Sequence, residues 1–212
     1  MGNKRLHTLD TLRTALQKLL LTHPWDDVSV QMIAEAGEVS VGTFYNYFDC
    51  RHEALMDLKA ELTNVLKGDL IFLLKTYAYS SEKLTILIKY FTLLSNSEST
   101  WSYYLYSGSA YSDRLDNGIK DILTCLILEG IKQKRMDVSD VDQAVHFIEA
   151  GLFSHAKRGV NQIDSLIDLV LIMLGVSTEE RQQVFSIVCP ITPLSQLPMS
   201  ILTSSRPEAI YE

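Results

Sequence analysis

Apolar residues recur at intervals of three and four along nearly the whole chain. That period confines the apolar side chains to one face of a helix, so the chain reads as all-α with no strand candidate. Leu9, Leu12, Leu16 and Leu19, widened by Ala15 and Leu20, predict an amphipathic helix from Thr8 to about Leu21, which His23-Pro24 ends. Ser29 can cap a second, short helix that turns Val30, Ile33 and Ala34 inward, and Gly37 to Val39 break it. Ser40 opens a third helix running to Tyr47, with Val39, Phe44 and Phe48 as buried anchors. After Asp49-Cys50, the residues Leu55, Leu58, Leu62 and Val65 or Leu66 mark a longer helix joining this head to the rest of the chain.

Beyond Ser81 the helical period continues. Leu84, Leu87, Ile88 and Phe91 mark one helix, and Ile119, Leu123, Leu126, Ile127 and Ile131 another that ends near Arg135. Asp137 to Asp140 reads as a turn and cap before Val141, Val145, Ile148 and Leu152, beside which Ala144, Phe147 and Gly151 form a second stripe. Ile163, Leu166, Ile167, Val170, Leu171 and Leu174 mark a last long helix, and Pro190, Pro193, Pro198 and Pro207 predict an extended or mobile tail. The expected division is a head at 1–52, a helical body at 53–189 and the tail at 190–212.

Several function classes are excluded on chemistry. Cys50, Cys125 and Cys189 are odd in number and far apart, which builds neither a disulfide framework nor a CxxC zinc pattern. His146 and Glu149, one helical turn apart, do not make a coordination shell, so no metal and no cofactor are expected. A GxSxG elbow, a glycine-rich phosphate loop and a Ser/His/Asp set are all missing, which argues against an enzyme. The first thirteen residues lack the apolar core of a secretory signal, and the longest apolar run, Leu166 to Val176, is interrupted by Asp168 and too short to span a bilayer. A cytoplasmic protein without membrane contact is expected.

Three short helices, the third opened by a capping serine and presenting small and polar side chains, make a helix-turn-helix that fits the major groove of double-stranded DNA. The stretch Ser29-Val-Gln-Met-Ile-Ala-Glu-Ala-Gly-Glu-Val-Ser-Val-Gly-Thr-Phe-Tyr-Asn-Tyr-Phe48 resembles the head signature of the tetracycline-repressor (TetR) family. The likeness covers about residues 8 to 58; the later helices agree with that family's regulatory domain in number and order. It implies an N-terminal three-helix DNA-binding head followed by an all-helical regulatory and dimerisation domain. Carried over by position, Gln31, Val41 and Gly42 face base edges, Thr43, Tyr45, Tyr47 and Arg51 hold phosphates, Asn46 can do either, and Ser40 opens the reading helix. The chemistry agrees, since hydroxyls and a guanidinium bond phosphate whatever the sequence, whereas Gln and Asn can pair bidentately with adenine.

Two features depart from the family pattern. Where the family usually has Ala-Gly-Val-Ser, this chain has Gly37-Glu38-Val39-Ser40, so either Glu38 adopts a left-handed angle or the turn shifts to Gly37. Among residues 1–53 the cations Lys4, Arg5, Arg13, Lys18 and Arg51 face seven carboxylates, and the whole chain carries −7. Phosphate contact must then rest on local placement and on the Lys4-Arg5 arm, not on net charge.

The resemblance implies a sequence-specific regulator, a repressor released by a small apolar or aromatic effector, acting as a homodimer on a palindromic operator. Trp101, Tyr104 and Tyr106, in an aromatic-rich stretch with polar handles, are the candidate ligand-lining residues. Val141, Val145, Ile148, Leu152, Leu166 and Val170 are the candidate dimer contacts, because the last two long helices are apolar around more of their circumference than one core covers. The alternative is a protein of this fold that works through protein contacts or weak, non-specific DNA association.

Overall fold

The computed structural model describes residues 2–97, 118–158, 163–197 and 202. Among them are nine α-helices and no strand: α1 (Gly2–Thr22), α2 (Val30–Ala36), α3 (Val41–Tyr45), α4 (Arg51–Leu74), α5 (Ser80–Ser97), α6 (Ile119–Lys132), α7 (Val141–Arg158), α8 (Ile163–Met173) and α9 (Thr178–Phe185). Two compact units divide the chain, one made of residues 1–64 with 193–212 and the other of 65–192. One division therefore falls inside α4, and residues from Pro193 onward group with the head, whereas the sequence suggests divisions after residues 52 and 189 and an extended or mobile tail.

In the head, α1 packs on α2 and α2 on α3. Of the predicted stripe, Leu12, Ala15, Leu16 and Leu20 are buried and Leu9 and Leu19 half-buried; Ile33, Ala34, Phe44, Phe48, Leu55, Leu58 and Leu62 are buried with them. Both capping serines act as read: Ser29 Oγ accepts from Met32 N at 3.2 Å and Ser40 Oγ from Thr43 N at 3.0 Å. Each satisfies an amide that the first helical turn leaves without a partner. The reading helix is shorter than expected, because regular helix stops at Tyr45 and Asn46-Tyr47 form a turn.

Glu38 takes the left-handed angle, at φ 52°, while Gly37 stays at φ −90°. Gly37 is closely enclosed: a Cβ there would lie 3.3 Å from Ile33 O, a tight contact, and 3.6 Å from the Leu12 and Ala15 side chains, an ordinary one. The turn keeps its register, and Glu38 carries the angle that glycine would adopt at least cost.

In the body, α5 packs against α6, α7, α8 and α9. Leu84, Ile86, Leu87, Ile88 and Tyr90 are consequently fully buried, at about 1.5–3 kcal/mol for each large apolar side chain removed from water. Polar residues drawn inside by this enclosure bond to their own helix, as Thr85 Oγ1 does to Ser81 O at 2.9 Å and Ser95 Oγ to Phe91 O at 2.7 Å. Asp140 caps α7 through Gln143 N at 3.0 Å, as the turn predicted. No helix among the described residues is long and apolar enough to cross a membrane.

Candidate nucleic-acid interface

With Phe44 and Phe48 turned into the head core, the remaining side chains of α3 and its flanks fall on the other face. Ser40, Gly42, Tyr45 and Asn46 are exposed, and Val41, Thr43 and Tyr47 half-buried. Gln31, on α2, is exposed as well. The Ser40 and Thr43 hydroxyls lie 2.8 Å apart, so the cap also orients Thr43. Tyr45 is 53% exposed, its ring set edge-on against Phe44 at 5.6 Å, which fixes the direction of the phenol. Gln31, Val41, Gly42, Thr43, Tyr45 and Asn46 thus combine outward placement with donors, acceptors and one apolar surface, the inventory that groove reading needs.

Two expected phosphate ligands are engaged inside the head, which corrects their reading. Arg51 Nη1 donates to Trp25 O at 3.1 Å, to Asp26 O at 3.3 Å and to Val28 O, and its guanidinium stacks over the Trp25 ring at 4.7 Å. It clamps the start of α4 to the turn before α2. Tyr47 donates its only hydroxyl proton to Arg5 O at 3.2 Å, while the Arg5 guanidinium lies 5.9 Å from the Tyr47 ring centre. A phenol has one proton, so this bond and a bond to phosphate exclude each other.

A second cation is occupied too. Arg13 meets Asp57 at 2.8 and 3.1 Å and reaches Glu61 and Asp10 at 3.5 Å, and the hydrogen bond to Asp57 raises its pKa. Arg5 and Lys18 remain exposed on α1. Sequence reasoning assigned Arg51 by motif position and missed its carbonyl partners 23 to 26 residues away; the nearby aromatic, Trp25, was the available signal.

The other candidate sites fare differently. Trp101, Tyr104 and Tyr106 lie outside the described residues. Of the residues assigned to the dimer contact, Val145, Ile148, Leu152 and Val170 are buried within their own chain, and Val141 and Leu166 half-buried. A side chain already enclosed by its own subunit cannot contact a partner, which corrects the assignment of those four. The outward faces of the same helices carry Phe147, 72% exposed, and Leu169, 66% exposed, with Ile172 and Met173 also exposed. Among the described residues no group of His, Cys, Asp and Glu could hold a metal ion. His155 Nε2 is buried in the body and has no hydrogen-bond partner among the described residues.

No family model matches the chain, and no curated protein matches it in sequence. Solved structures do match. RolR in complex with resorcinol superposes with a TM-score of 0.72 at 21% identity, covering 90% of this chain and 99% of that one. The transcriptional regulator FadR from Bacillus subtilis in complex with stearoyl-CoA gives 0.63 at 20% identity, covering 77% and 96%. A tetR-family regulatory protein from Rhodococcus RHA1 gives 0.61 at 12% identity, covering 80% and 98%. The fold is that of the tetR-family regulators.

Proposed function

We propose that this chain is a homodimeric, DNA-binding transcription regulator, a repressor whose body binds a small apolar or aromatic effector. The observation that carries the reading is the capped α3, anchored by Phe44 and turning Val41, Gly42, Thr43, Tyr45 and Asn46 away from the core, with Gln31 exposed on α2. Gln31 and Asn46 pair with base edges, Val41 offers apolar contact to a thymine methyl, and the Thr43 and Tyr45 hydroxyls bond phosphates.

Dimerisation is supported by the apolar residues that α7 and α8 leave exposed, Phe147, Leu169, Ile172 and Met173. The same helices of a second copy would cover them in a four-helix contact with two-fold symmetry. Such a dimer presents two identical reading helices, so the operator is a palindrome whose half-sites lie about 34 Å apart, one helical turn, or a multiple of it. The effector class is drawn by analogy with structures of this fold that hold resorcinol and stearoyl-CoA. Trp101, Tyr104 and Tyr106 are the residues to test as its lining. His155, whose buried Nε2 has no partner among the described residues, is the one to test as a polar handle. An effector releases DNA only by binding one arrangement of the paired heads more tightly than the other.

A competing reading, protein contacts or weak non-specific DNA association, draws support from the acidic head and from Arg13 and Arg51 being held internally. Titrating salt against binding to DNA from the protein's own promoter region separates the two. A specific reader prefers operator over random DNA near physiological salt, whereas equal affinities that collapse together would establish the competitor. Within the first reading, Tyr45→Phe weakens binding to every sequence and Asn46→Ala alters the preference among sequences.

A further inference from the structure

What Tyr47 holds with its hydroxyl is the backbone of a cation, and the same ring faces that cation's side chain. The hydroxyl donates to Arg5 O at 3.2 Å, and the Arg5 guanidinium lies over the ring, 5.9 Å from its centre. The first contact fixes the opening turn of α1, and the second sets the direction in which the arginine points. Both residues belong to the head unit. Tyr47 is placed in turn by the reading helix, because its amide donates to Phe44 O at 2.9 Å and Phe44 is the fully buried anchor of α3. Arg5 is thereby stationed at the end of α3 where Tyr45 and Asn46 are exposed.

The arginines of the head differ in what meets them. Arg13 is held by the carboxylates of Asp57, Glu61 and Asp10, and Arg51 Nη1 donates to backbone carbonyls. Arg5 is exposed and is met by an aromatic ring. A ring attracts the charge of a guanidinium but offers it no lone pair, so the N–H fork stays available to an outside acceptor. The first turn of α1 contains no acidic residue to occupy that fork. A planar fork of donors fits a pair of phosphate oxygens, and it lies at the edge of a surface that otherwise offers hydroxyls and amides.

We propose that Arg5 is a phosphate contact of the head and that Tyr47 is the positioning residue that sets it there, so that Tyr47 acts on DNA through Arg5 and not by its own hydroxyl. The proposal rests on the reading of this head as DNA-binding, and it assigns a different task to the position that the motif gives to a direct phosphate contact.

Binding of the full-length protein to labelled duplexes, followed against salt, tests it with DNA from the protein's own promoter region and with a duplex of random sequence. Arg5→Gln weakens binding to both alike and makes the salt slope shallower by about 0.9 per head, or about 2 for a dimer. Raising salt from about 50 to about 200 mM then costs about tenfold less affinity than it costs the parent. Tyr47→Leu, which removes ring and hydroxyl together, gives the same change of slope and no further loss once Arg5→Gln is present. Should Tyr47→Leu fail to fold, Tyr47→Phe in the same cycle gives a smaller loss that also vanishes beside Arg5→Gln. Losses that add in the double variant mean that Tyr47 meets phosphate itself, and a fall in stability at unchanged slope means that it only packs the head. Either result overturns the proposal, as does unchanged binding by Arg5→Gln while the parent binds. A parent chain that binds neither duplex at about 50 mM salt instead overturns the DNA-binding reading, and the proposal with it.

Discussion

Replacing Glu38 by glycine should stabilise the head, and the gain can be worked from the turn. Glu35, Glu38 and Val39 form a Schellman ending to α2: Glu38 N bonds to Glu35 O at 3.0 Å and Val39 N to Ala34 O at 2.9 Å, with Glu38 at φ 52°. A residue with a Cβ costs about 1–2 kcal/mol in that conformation. Glycine removes the cost but loses about 0.5–1 kcal/mol through its freer unfolded chain. The net gain spans about 0–1.5 kcal/mol and centres on about 0.75 kcal/mol, which for a unit of this size raises the midpoint by about 3–6 °C. Trp25 lies in the head, so urea or thermal unfolding followed by its fluorescence in a Trp101→Phe background reports the head alone. Glu38→Ala is the control, since it removes the charge and keeps the Cβ; it should stay within about 0.5 kcal/mol of the parent. An alanine variant as stable as the glycine variant would show that charge, not backbone angle, governs this turn.

Arg51→Ala should cost the head about 2–3 kcal/mol in the same assay, from the lost charged hydrogen bonds and the stacking on Trp25; a uniform loss of DNA affinity at unchanged stability would restore Arg51 to the phosphates. Phe147→Asp or Leu169→Glu should give folded monomers by sedimentation at micromolar concentration, whereas Val145→Glu should unfold the chain, because Val145 is fully buried; dimers persisting in both surface variants would place the contact elsewhere. Ellman's reagent should react promptly with exposed Cys50 and Cys125 and with Cys189 only on unfolding, because burial raises the Cys189 thiol to about 11; three equal rates would contradict the enclosure of the segment around Cys189. Binding to operator should show a shallow salt dependence, a slope no steeper than about −5 for a dimer contributing Lys4, Arg5 and Lys18 from each head at about −0.9 per phosphate; a slope near −10 would mean that Arg13 and Arg51 leave their internal partners.

What could be read from the sequence is what local chemistry decides. The Ser29 and Ser40 caps act on amides three residues away, and the stripe on α1 is set by the helical period alone, so both appear in the structure where the sequence puts them. The same period identifies α7 and α8 but not which stripe meets the chain's own core. Val145 and Phe147 are equally apolar and two residues apart, yet the first is fully buried and the second 72% exposed. Only the position of α5 against α7 separates them, and that is a property of the packed body. Polar residues show the limit most sharply. Nothing in the sequence marks Gln17 as buried, because the backbone amide it accepts from lies 185 residues away, and Arg51 reads as a phosphate contact because the carbonyls it binds belong to a turn before α2. In both cases a side chain suited to contact outside molecules is committed to holding the head together. With Arg13 and Arg51 committed to the head's own architecture, the proposed reading of DNA falls to hydroxyls, amides and shape together with the exposed Arg5 and Lys18, so a modest preference at each half-site is the expected outcome of selection from a random DNA pool.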